Sequence, residues 1–192
     1  MGNSMPVGVS LPGHHSPGVG FEAPFEMLTA CHERVERMLN LVSRLVLHLA
    51  TTGWDMQAAT AASDIMRYFD LAAPQHHLDE EIHVFPAVLT LQKGRLDLLV
   101  YRLKQEHIQM EKNWCHIREI LDRVAHADEK SWTDLSRTDT VAIALFQKIY
   151  KNHIQEEETY IYPAAIQALD RTQLDVMTRD MVRRRTSASD GR

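Results

Sequence analysis

The sequence predicts an all-α protein: an antiparallel up-down four-helix bundle, built as two tandem helical hairpins, with a short extra C-terminal helix. Apolar residues recur at spacings of three and four along most of the chain, and no segment alternates apolar and polar residues as a strand does. The pattern of the first hairpin also returns in the second half of the sequence. Long helices with short connections favour antiparallel neighbours, so the class and the topology are predicted together.

The chain divides into a lead, one working domain and a tail. Its 192 residues, 44% of them hydrophobic, are enough to bury one core. Glycine and proline are so frequent in residues 1–21 that this segment is predicted to be a flexible lead. Residues 22–170 form the predicted bundle. Residues 171–192 are predicted to contain a short amphipathic helix at about 172–182 and a basic flexible tail.

The first two helices follow from their apolar spacing and from the residues that interrupt it. The first covers about 25–52 and ends at the segment TTGWD, where glycine breaks the pattern. The second covers about 55–92 and contains Pro74, which either kinks one long helix or begins a new helix in its first turn. Gly94 ends this region. The stripe of the first helix consists of Phe25, Leu28, His32, Val35, Leu39, Val42, Val46 and Leu49.

The third and fourth helices are predicted in the same way. The third carries an apolar stripe from Leu96 to Val124, with His107 near its centre, and the segment HADEKS supplies the following turn. The fourth covers about 133–168. Its predicted core stripe consists of Val141, Leu145, Ile149, His153, Tyr160 and Ile161.

The ends of the second and fourth helices repeat each other. The segment HHLDEEIHVFP, residues 76–86, aligns with HIQEEETYIYP, residues 153–163, at an offset of 77. The helices before them repeat as well, because CHERVERML and EHIQMEKNW place His32 and His107 at an offset of 75. Each hairpin therefore carries one histidine on its first helix and an HxxxE pair on its second. The equivalent residues are His76 and His153, Glu80 and Glu157, Glu81 and Glu158, Phe85 and Tyr162, and Pro86 and Pro163.

The HxxxE spacing favours metal binding. Residues i and i+4 of a helix lie on nearly the same face, about 6 Å apart at Cβ, so each histidine can aim at the same point as its glutamate. Two packed hairpins would bring four imidazoles and two carboxylates into the core, which is enough for two ions bridged by the carboxylates. Nitrogen and carboxylate ligands without thiolate suit iron, manganese or zinc, and a bridged pair with open positions favours iron. The candidate ligands are His32, His76, Glu80, His107, His153 and Glu157.

Other titratable residues are candidates for supporting contacts or for alternative ligands. His77, Glu81 and Glu158 point about 100° away from the ligand face, which favours solvent or a hydrogen bond to a ligand. His83 returns to the ligand side of its helix, and its equivalent is Tyr160. This second set consists of Glu36, His77, His83, Glu111, Glu158 and Tyr160.

Composition excludes some classes of function. The net charge of -5, without a basic stripe, argues against nucleic acid as a partner. No apolar run is long enough to span a bilayer, and the N-terminus lacks the features of a signal peptide, so no membrane association is expected. Cys31 and Cys115 are isolated thiols, which favours a reducing cytoplasm. A monomer or a homodimer is expected, and the sequence indicates no particular protein partner.

These motifs resemble those of the hemerythrin-like proteins, also called HHE cation-binding domains. The HHxxEExxxFP and HIxxEExxxYP segments, each preceded by a helix with a single histidine, carry the resemblance over about residues 22–170. The resemblance implies a non-haem di-iron centre in a four-helix bundle, with two iron ions bridged by carboxylates and, in some states, by an oxo group. It also implies reversible binding or sensing of O2 or NO, or iron handling and repair, rather than the turnover of a classical enzyme.

The sequence departs from the oxygen-carrying members of that family. The carriers have a further histidine one turn after the ligand on the third helix, where this chain has Glu111, and the first hairpin likewise has Glu36. Their carboxylate ligand on the fourth helix lies five residues after its histidine, whereas the repeat here favours the i+4 residue, Glu157, over Glu158. The chain therefore resembles the branch associated with nitric oxide or iron handling more than the oxygen carriers.

Three other functions are weaker interpretations of the same residues. A ferritin-like di-iron oxidase would need ExxH on two helices, and only Glu80 and His83 match. A zinc or manganese bundle with hydrolytic or redox activity is an open alternative, although no HExxH motif occurs. A metal-free helical interaction module would explain the periodicity but not the matched HxxxE pairs, because a buried glutamate is costly without a partner.

Overall fold

Five helices make up most of residues 23–189, the part of the chain that the computed structural model describes, and no strand occurs within that range. The predicted class, an all-α helical bundle, is confirmed. The predicted flexible lead, residues 1–21, lies outside the described residues. The helices are α1, Pro24–Thr51; α2, formed by the consecutive segments Met56–Asp79, Glu80–Val84 and Phe85–Thr90; α3, Gly94–Ala125; α4, formed by Arg137–Glu156, Glu157–Ile161 and Tyr162–Ala168; and α5, Arg171–Ser189.

The first four helices pack as a ring. α1 contacts α2, α2 contacts α3, α3 contacts α4, and α4 closes the ring against α1. α5 packs on α1 and α2 and adds Met177 and Met181 to the apolar interior. Over the described residues, none of these helices combines the length and the apolar character needed to cross a membrane.

Two apolar clusters fill the interior of the bundle and leave a polar layer between them. Along α1, Leu28 belongs to one cluster and Val35 to the other, and His32 lies between them. The same order holds on α3 around His107. Since apolar side chains lie on both sides, the polar layer is shielded from bulk water.

Two local features of α2 determine its course. Asp55 is its N-cap, and the side chain accepts a hydrogen bond of 2.9 Å from the backbone N–H of Ala58. Pro74 lies inside the continuous segment Met56–Asp79, so it does not begin a new helix. Of the two alternatives for this proline, one long helix is therefore correct.

A capping box determines the start of α4. The backbone N–H of Asp139 donates to the side chain of Ser136, and the backbone N–H of Ser136 donates to the carboxylate of Asp139. The guanidinium of Arg123 also donates to this carboxylate, at 2.8 Å. The helix therefore begins at Arg137, four residues later than the predicted start near residue 133.

The predicted core stripe of α4 is wrong at three positions, one of which is Tyr160, 50% exposed. Val141 and Leu145 are 51% and 55% exposed, whereas Ile143, Phe146 and Tyr150 are buried. Repeated steps of four residues drift by about 40° per step around a helix of 3.6 residues per turn, whereas alternating steps of three and four stay on one face. The prediction followed the drifting row.

α5 is longer than the helix predicted at about 172–182, because it extends over Arg171–Ser189. Arg184 and Arg185, which the sequence placed in a basic flexible tail, pair with the two carboxylate oxygens of Asp79 at 2.6 and 2.5 Å. Asp79 is fully buried on α2, 106 residues before Arg185. Periodicity within α5 could not reveal so distant a partner.

α2 and α4 each contain one widened turn at the same place in the repeat. In the π-helical segment Glu80–Val84, the amide of Phe85 donates to the carbonyl of Glu80, five residues back, and Glu157–Ile161 has the equivalent bond from Tyr162. A proline follows in both helices. Because its ring clashes with the carbonyl four residues back and it has no amide hydrogen, one extra residue in the turn relieves the conflict. The aromatic residue thereby returns to the face of the glutamate five positions earlier.

Candidate metal centre

Each helix of the ring places one histidine in the polar layer, and α2 and α4 add one glutamate each. All six candidate ligands are buried, and their side-chain donor atoms form two overlapping groups that share the glutamates. Within each group the donor atoms lie within 4.8 Å of one another. One group is His32, His76, Glu80 and Glu157, called the His32–His76 position, and the other is Glu80, His107, His153 and Glu157, called the His107–His153 position.

Glu80 faces both positions. Its Oε1 lies 3.4 Å from Nε2 of His76 and 3.9 Å from Nε2 of His32. Its Oε2 lies 3.6 Å from Nε2 of His107. One carboxylate therefore directs one oxygen to each position.

Glu157 has the same arrangement from the opposite hairpin. Its Oε2 lies 3.3 Å from Nε2 of His32, and its Oε1 lies 3.0 Å from Nε2 of His153. The i+4 residue of the second HxxxE pair thus faces the donor atoms. Glu158, the i+5 residue, does not face them, because its Oε1 lies 3.0 Å from Nδ1 of His32, on the far side of that ring.

Unmatched polar atoms indicate that this cluster is able to hold metal. Oε2 of Glu80 and both carboxylate oxygens of Glu157 are buried and make no hydrogen bond of good geometry within the described part of the chain. Nε2 of His107 and Nε2 of His153 face each other at 2.9 Å, about the separation of two nitrogen ligands on one ion. A buried carboxylate is costly unless a cation or donors pair with it. Imidazole and carboxylate without thiolate form a donor set for a divalent metal.

Two histidines are held from behind by the glutamates that follow the candidate ligands. Nδ1 of His32 lies 3.0 Å from Glu158, and Nδ1 of His107 lies 2.9 Å from Glu81. These two pairs are equivalent in the repeat. A carboxylate at Nδ1 fixes the ring and directs Nε2 towards the centre, which is the usual support of a metal-binding histidine.

The remaining two histidines differ from each other. Nδ1 of His153 lies 2.9 Å from Oε2 of Glu106, whereas the buried Nδ1 of His76 has no hydrogen-bond partner within the described residues. Glu106 directly precedes the histidine of α3, and the equivalent residue before the histidine of α1 is Cys31, which has no carboxylate. The repeat is therefore not exact around the centre.

Two of the imidazoles have raised pKa values. Burial acts to lower the pKa of His32, but the carboxylates of Glu157 and Glu158 outweigh it and the pKa is raised. Burial is likewise outweighed at His153, where Glu157 and Glu106 raise the pKa to about 10. One histidine of each position therefore lies in a strongly negative field.

The other two candidate ligand imidazoles, and the neighbouring imidazole of His77, have lowered pKa values. Burial, followed by the charge of His32, lowers the pKa of His76 well below its ordinary value. Burial also lowers the pKa of His77 to about 3 and that of His107 to about 2, with neighbouring histidines adding to the effect. The neutral imidazole is the form that ligates a metal.

The pKa values of the two glutamates are shifted in opposite directions. Burial and the charge of Glu157 raise the pKa of Glu80 well above its ordinary value. Burial acts in the same direction on Glu157, but His153 and His32 outweigh it and hold its pKa well below the ordinary value. A cation at each position would favour the ionised form of both carboxylates.

The second set of predicted residues is spread over several environments. The ring of His77 stacks on that of His107 at 3.9 Å, with the planes inclined by 8°. His83 points away from the candidate ligands and pairs with Asp180 of α5 at 2.8 Å. Glu158 holds His32, as described above. The exposed members of the set are Glu36, Glu111, Glu158 and Tyr160.

Two residues at the centre were not predicted from the sequence. The hydroxyl of Tyr162 donates to Oε1 of Glu80 at 2.6 Å and lies 3.2 Å from Nε2 of His32. The signal for Tyr162 was the change from phenylalanine to tyrosine between the repeats. Glu106 gave no such signal, because its contact with His153 depends on how α3 packs against α4.

A cleft of about 320 Å³ lies between α2 and α3 and reaches His107 of this centre. Its lining includes His107 and two residues that contact His107, His77 and Glu81. Its size is at the small end of ligand sites in proteins. The apolar and aromatic part of its lining includes Phe69, Ala73, Leu78, Met110, Trp114 and Tyr150.

Comparison with known proteins agrees with this geometry. The chain is 29% identical over 135 residues to a protein of Haemophilus influenzae described as an uncharacterized protein, and the alignment covers 70% of this chain and 74% of the relative. Residues 23–165 match the family described as the hemerythrin HHE cation binding domain. Since this match covers most of the chain and contains the buried histidine and glutamate cluster, the chain belongs to the hemerythrin HHE cation-binding family.

Proposed function

We propose that this protein is a non-haem di-iron protein that binds or senses a small diatomic molecule, NO or O2, or handles iron. The observation that carries the proposal is the pair of spanning carboxylates. Glu80 and Glu157 each direct one oxygen to the His32–His76 position and the other to the His107–His153 position. Carboxylates in this arrangement suit two ions a few ångströms apart.

The donor count supports iron. Each position offers two imidazole nitrogens and two carboxylate oxygens. Four nitrogen and oxygen donors leave further coordination positions open on a metal that accepts five or six ligands, and the absence of thiolate from the set argues against a structural zinc knuckle. Iron bound there would supply open positions and exchangeable electrons for a diatomic ligand.

The chain itself contributes orientation, exclusion of water and a route of access. Glu158, Glu81 and Glu106 fix three of the imidazole rings through Nδ1. The two apolar clusters on either side of the polar layer exclude bulk water. The aromatic and apolar lining of the cleft at His107 suits the passage of a small molecule of low polarity.

Within this range of roles, NO binding or iron handling is favoured over oxygen carriage. Glu111 stands at the position of the further histidine of the carriers, and its side chain is exposed at the cleft. Glu158, the counterpart of the carriers' i+5 ligand, is engaged with Nδ1 of His32. Both differences support a centre with four histidines and two glutamates.

The experiment is metal analysis of protein made in iron-replete cells, with visible spectra before and after exposure to air or NO. We expect two irons per chain and a spectrum that responds to NO. His76→Ala and His153→Ala should each lower the iron content and abolish the response. His116→Ala is the control, because His116 lies on the outer face of α3 with a side chain 54% exposed. A folded chain without metal, or with one zinc that these substitutions do not displace, would contradict the proposal.

A further inference from the structure

The internal repeat makes the two metal positions nearly equivalent, so the places where it fails are informative. Phe85 and Tyr162 are equivalent residues that the π turns bring to the polar layer. The ring of Tyr162 stacks on His32 with centroids 5.4 Å apart, and the ring of Phe85 stacks on His107 at 5.5 Å. The two aromatic rings therefore have the same placement, and the difference between them is one hydroxyl group.

That hydroxyl points into the centre. Tyr162 is 4% exposed, and its O–H lies 2.6 Å from Oε1 of Glu80. Oε1 is the oxygen of Glu80 that faces the His32–His76 position. Phe85 has no group that could make the equivalent contact at the His107–His153 position.

A second difference lies behind the histidines. His153 has the carboxylate of Glu106 at Nδ1, whereas the buried Nδ1 of His76 has no partner within residues 23–189. The His107–His153 position is thus supported through its imidazoles. The His32–His76 position has one fewer carboxylate behind its rings and one more donor on its bridging glutamate.

We propose that the two cation positions are chemically distinct, and that Tyr162 is the positioning residue of the His32–His76 position, where its hydroxyl donates to Oε1 of Glu80. The proposal rests on the two-metal centre proposed above and adds a residue and an asymmetry to it. Once the imidazole of His32 binds a cation, its Nε2 carries no proton, and the phenolic O–H has one acceptor, the glutamate oxygen. The hydroxyl then fixes the direction of that oxygen.

Loss of such an outer hydrogen bond commonly lowers metal affinity by about 10- to 100-fold. Tyr162→Phe introduces the residue that the other hairpin has at the equivalent position, Phe85. The substitution removes the hydroxyl and keeps the ring. We therefore expect Tyr162→Phe to weaken binding about tenfold or more at the His32–His76 position and to leave the other position unchanged.

The test separates the positions with two single-site backgrounds and uses Co²⁺ as the probe, followed by its visible absorption under anaerobic conditions. His107→Ala leaves the His32–His76 position, and His32→Ala leaves the His107–His153 position. Tyr162→Phe should weaken Co²⁺ binding in the first background alone. Equal weakening in both backgrounds, or in neither, would overturn the assignment.

The reverse exchange is the second variant. Phe85→Tyr combined with Tyr162→Phe moves the hydroxyl to the other hairpin, so the gain in affinity that the hydroxyl provides should move to the His107–His153 position. Circular dichroism and the melting temperature before metal is added identify any variant that has lost its fold. If the unaltered chain takes up fewer than two Co²⁺ ions, the two-metal proposal fails. If it takes up two and Tyr162→Phe has no selective effect, the asymmetry alone fails.

Discussion

Asp79 is expected to be the main anchor of α5. Its carboxylate is fully buried, with Oδ1 2.6 Å from Arg184 and Oδ2 2.5 Å from Arg185. Removing one member of a buried ion pair costs about 3–5 kcal/mol, because the remaining charge loses its partner. The arginine side chains keep 16% and 28% exposure, and asparagine keeps one acceptor oxygen. The expected loss of unfolding free energy for Asp79→Asn is therefore about 2–3 kcal/mol.

Urea unfolding followed by circular dichroism, after treatment with a chelator, measures this loss without a contribution from metal. The corresponding fall in melting temperature is about 5–10 °C for a chain of this length. Asp64→Asn is the matched control, because Asp64 pairs with Arg67 at 2.8 Å while their side chains are 45% and 72% exposed. The control should cost about 0.5 kcal/mol or less. A loss for Asp79→Asn no larger than that of the control would refute the anchoring role.

The remaining predictions concern α4. Phe146→Ala should lower the free energy of unfolding in urea by about 3–5 kcal/mol, because the side chain is 1% exposed. Val141→Ala is the control and should lower it by about 0.5 kcal/mol or less, because that side chain is 51% exposed. Equal losses would contradict the core face described above. The pKa of Asp139 is lowered, because hydrogen bonds from Ser136 and the charge of Arg123 outweigh the opposing effect of burial. A lowered pKa stabilises the fold above the ordinary value of about 4, and this contribution is lost as pH falls through the folded value. Asp139→Asn should therefore be less stable than the parent at pH 7, and the difference should shrink below about pH 4; a difference that is constant with pH would count against this reasoning.

The sequence was sufficient for the helices because apolar periodicity and capping residues are local signals. The buried row of α1, with Leu28, His32 and Val35, follows directly from steps of three and four. The row of α4 was misassigned because two rows with helical spacing both contain His153, and a choice between them needs the packing of neighbouring helices. The length of α5 was underestimated for a related reason, since Arg184 and Arg185 find Asp79 only in the folded chain.

The candidate centre was also predictable in part from the sequence. The repeat identified six residues that the structure brings together, because an equivalent position in two hairpins is visible in the sequence. The repeat also favoured Glu157 over Glu158, which agrees with the placement of Glu158 behind His32. Glu106 was missed because its contact crosses between helices. Tyr162 was missed because an i+5 residue of an α-helix would point away from the glutamate.

The proline at the end of each repeated segment explains how that aromatic residue reaches the centre. A proline in the helix interior conflicts with the carbonyl four residues back, and the chain relieves this conflict with a π turn at Glu80 and again at Glu157. The wider turn rotates the preceding aromatic residue onto the ligand face, where Phe85 covers His107 and Tyr162 covers His32. The proline thus has two effects: it widens the helical turn, and it places the preceding aromatic side chain over a histidine. One difference at this place, tyrosine in one hairpin and phenylalanine in the other, puts a hydroxyl against Glu80 at one of the two positions and none at the other.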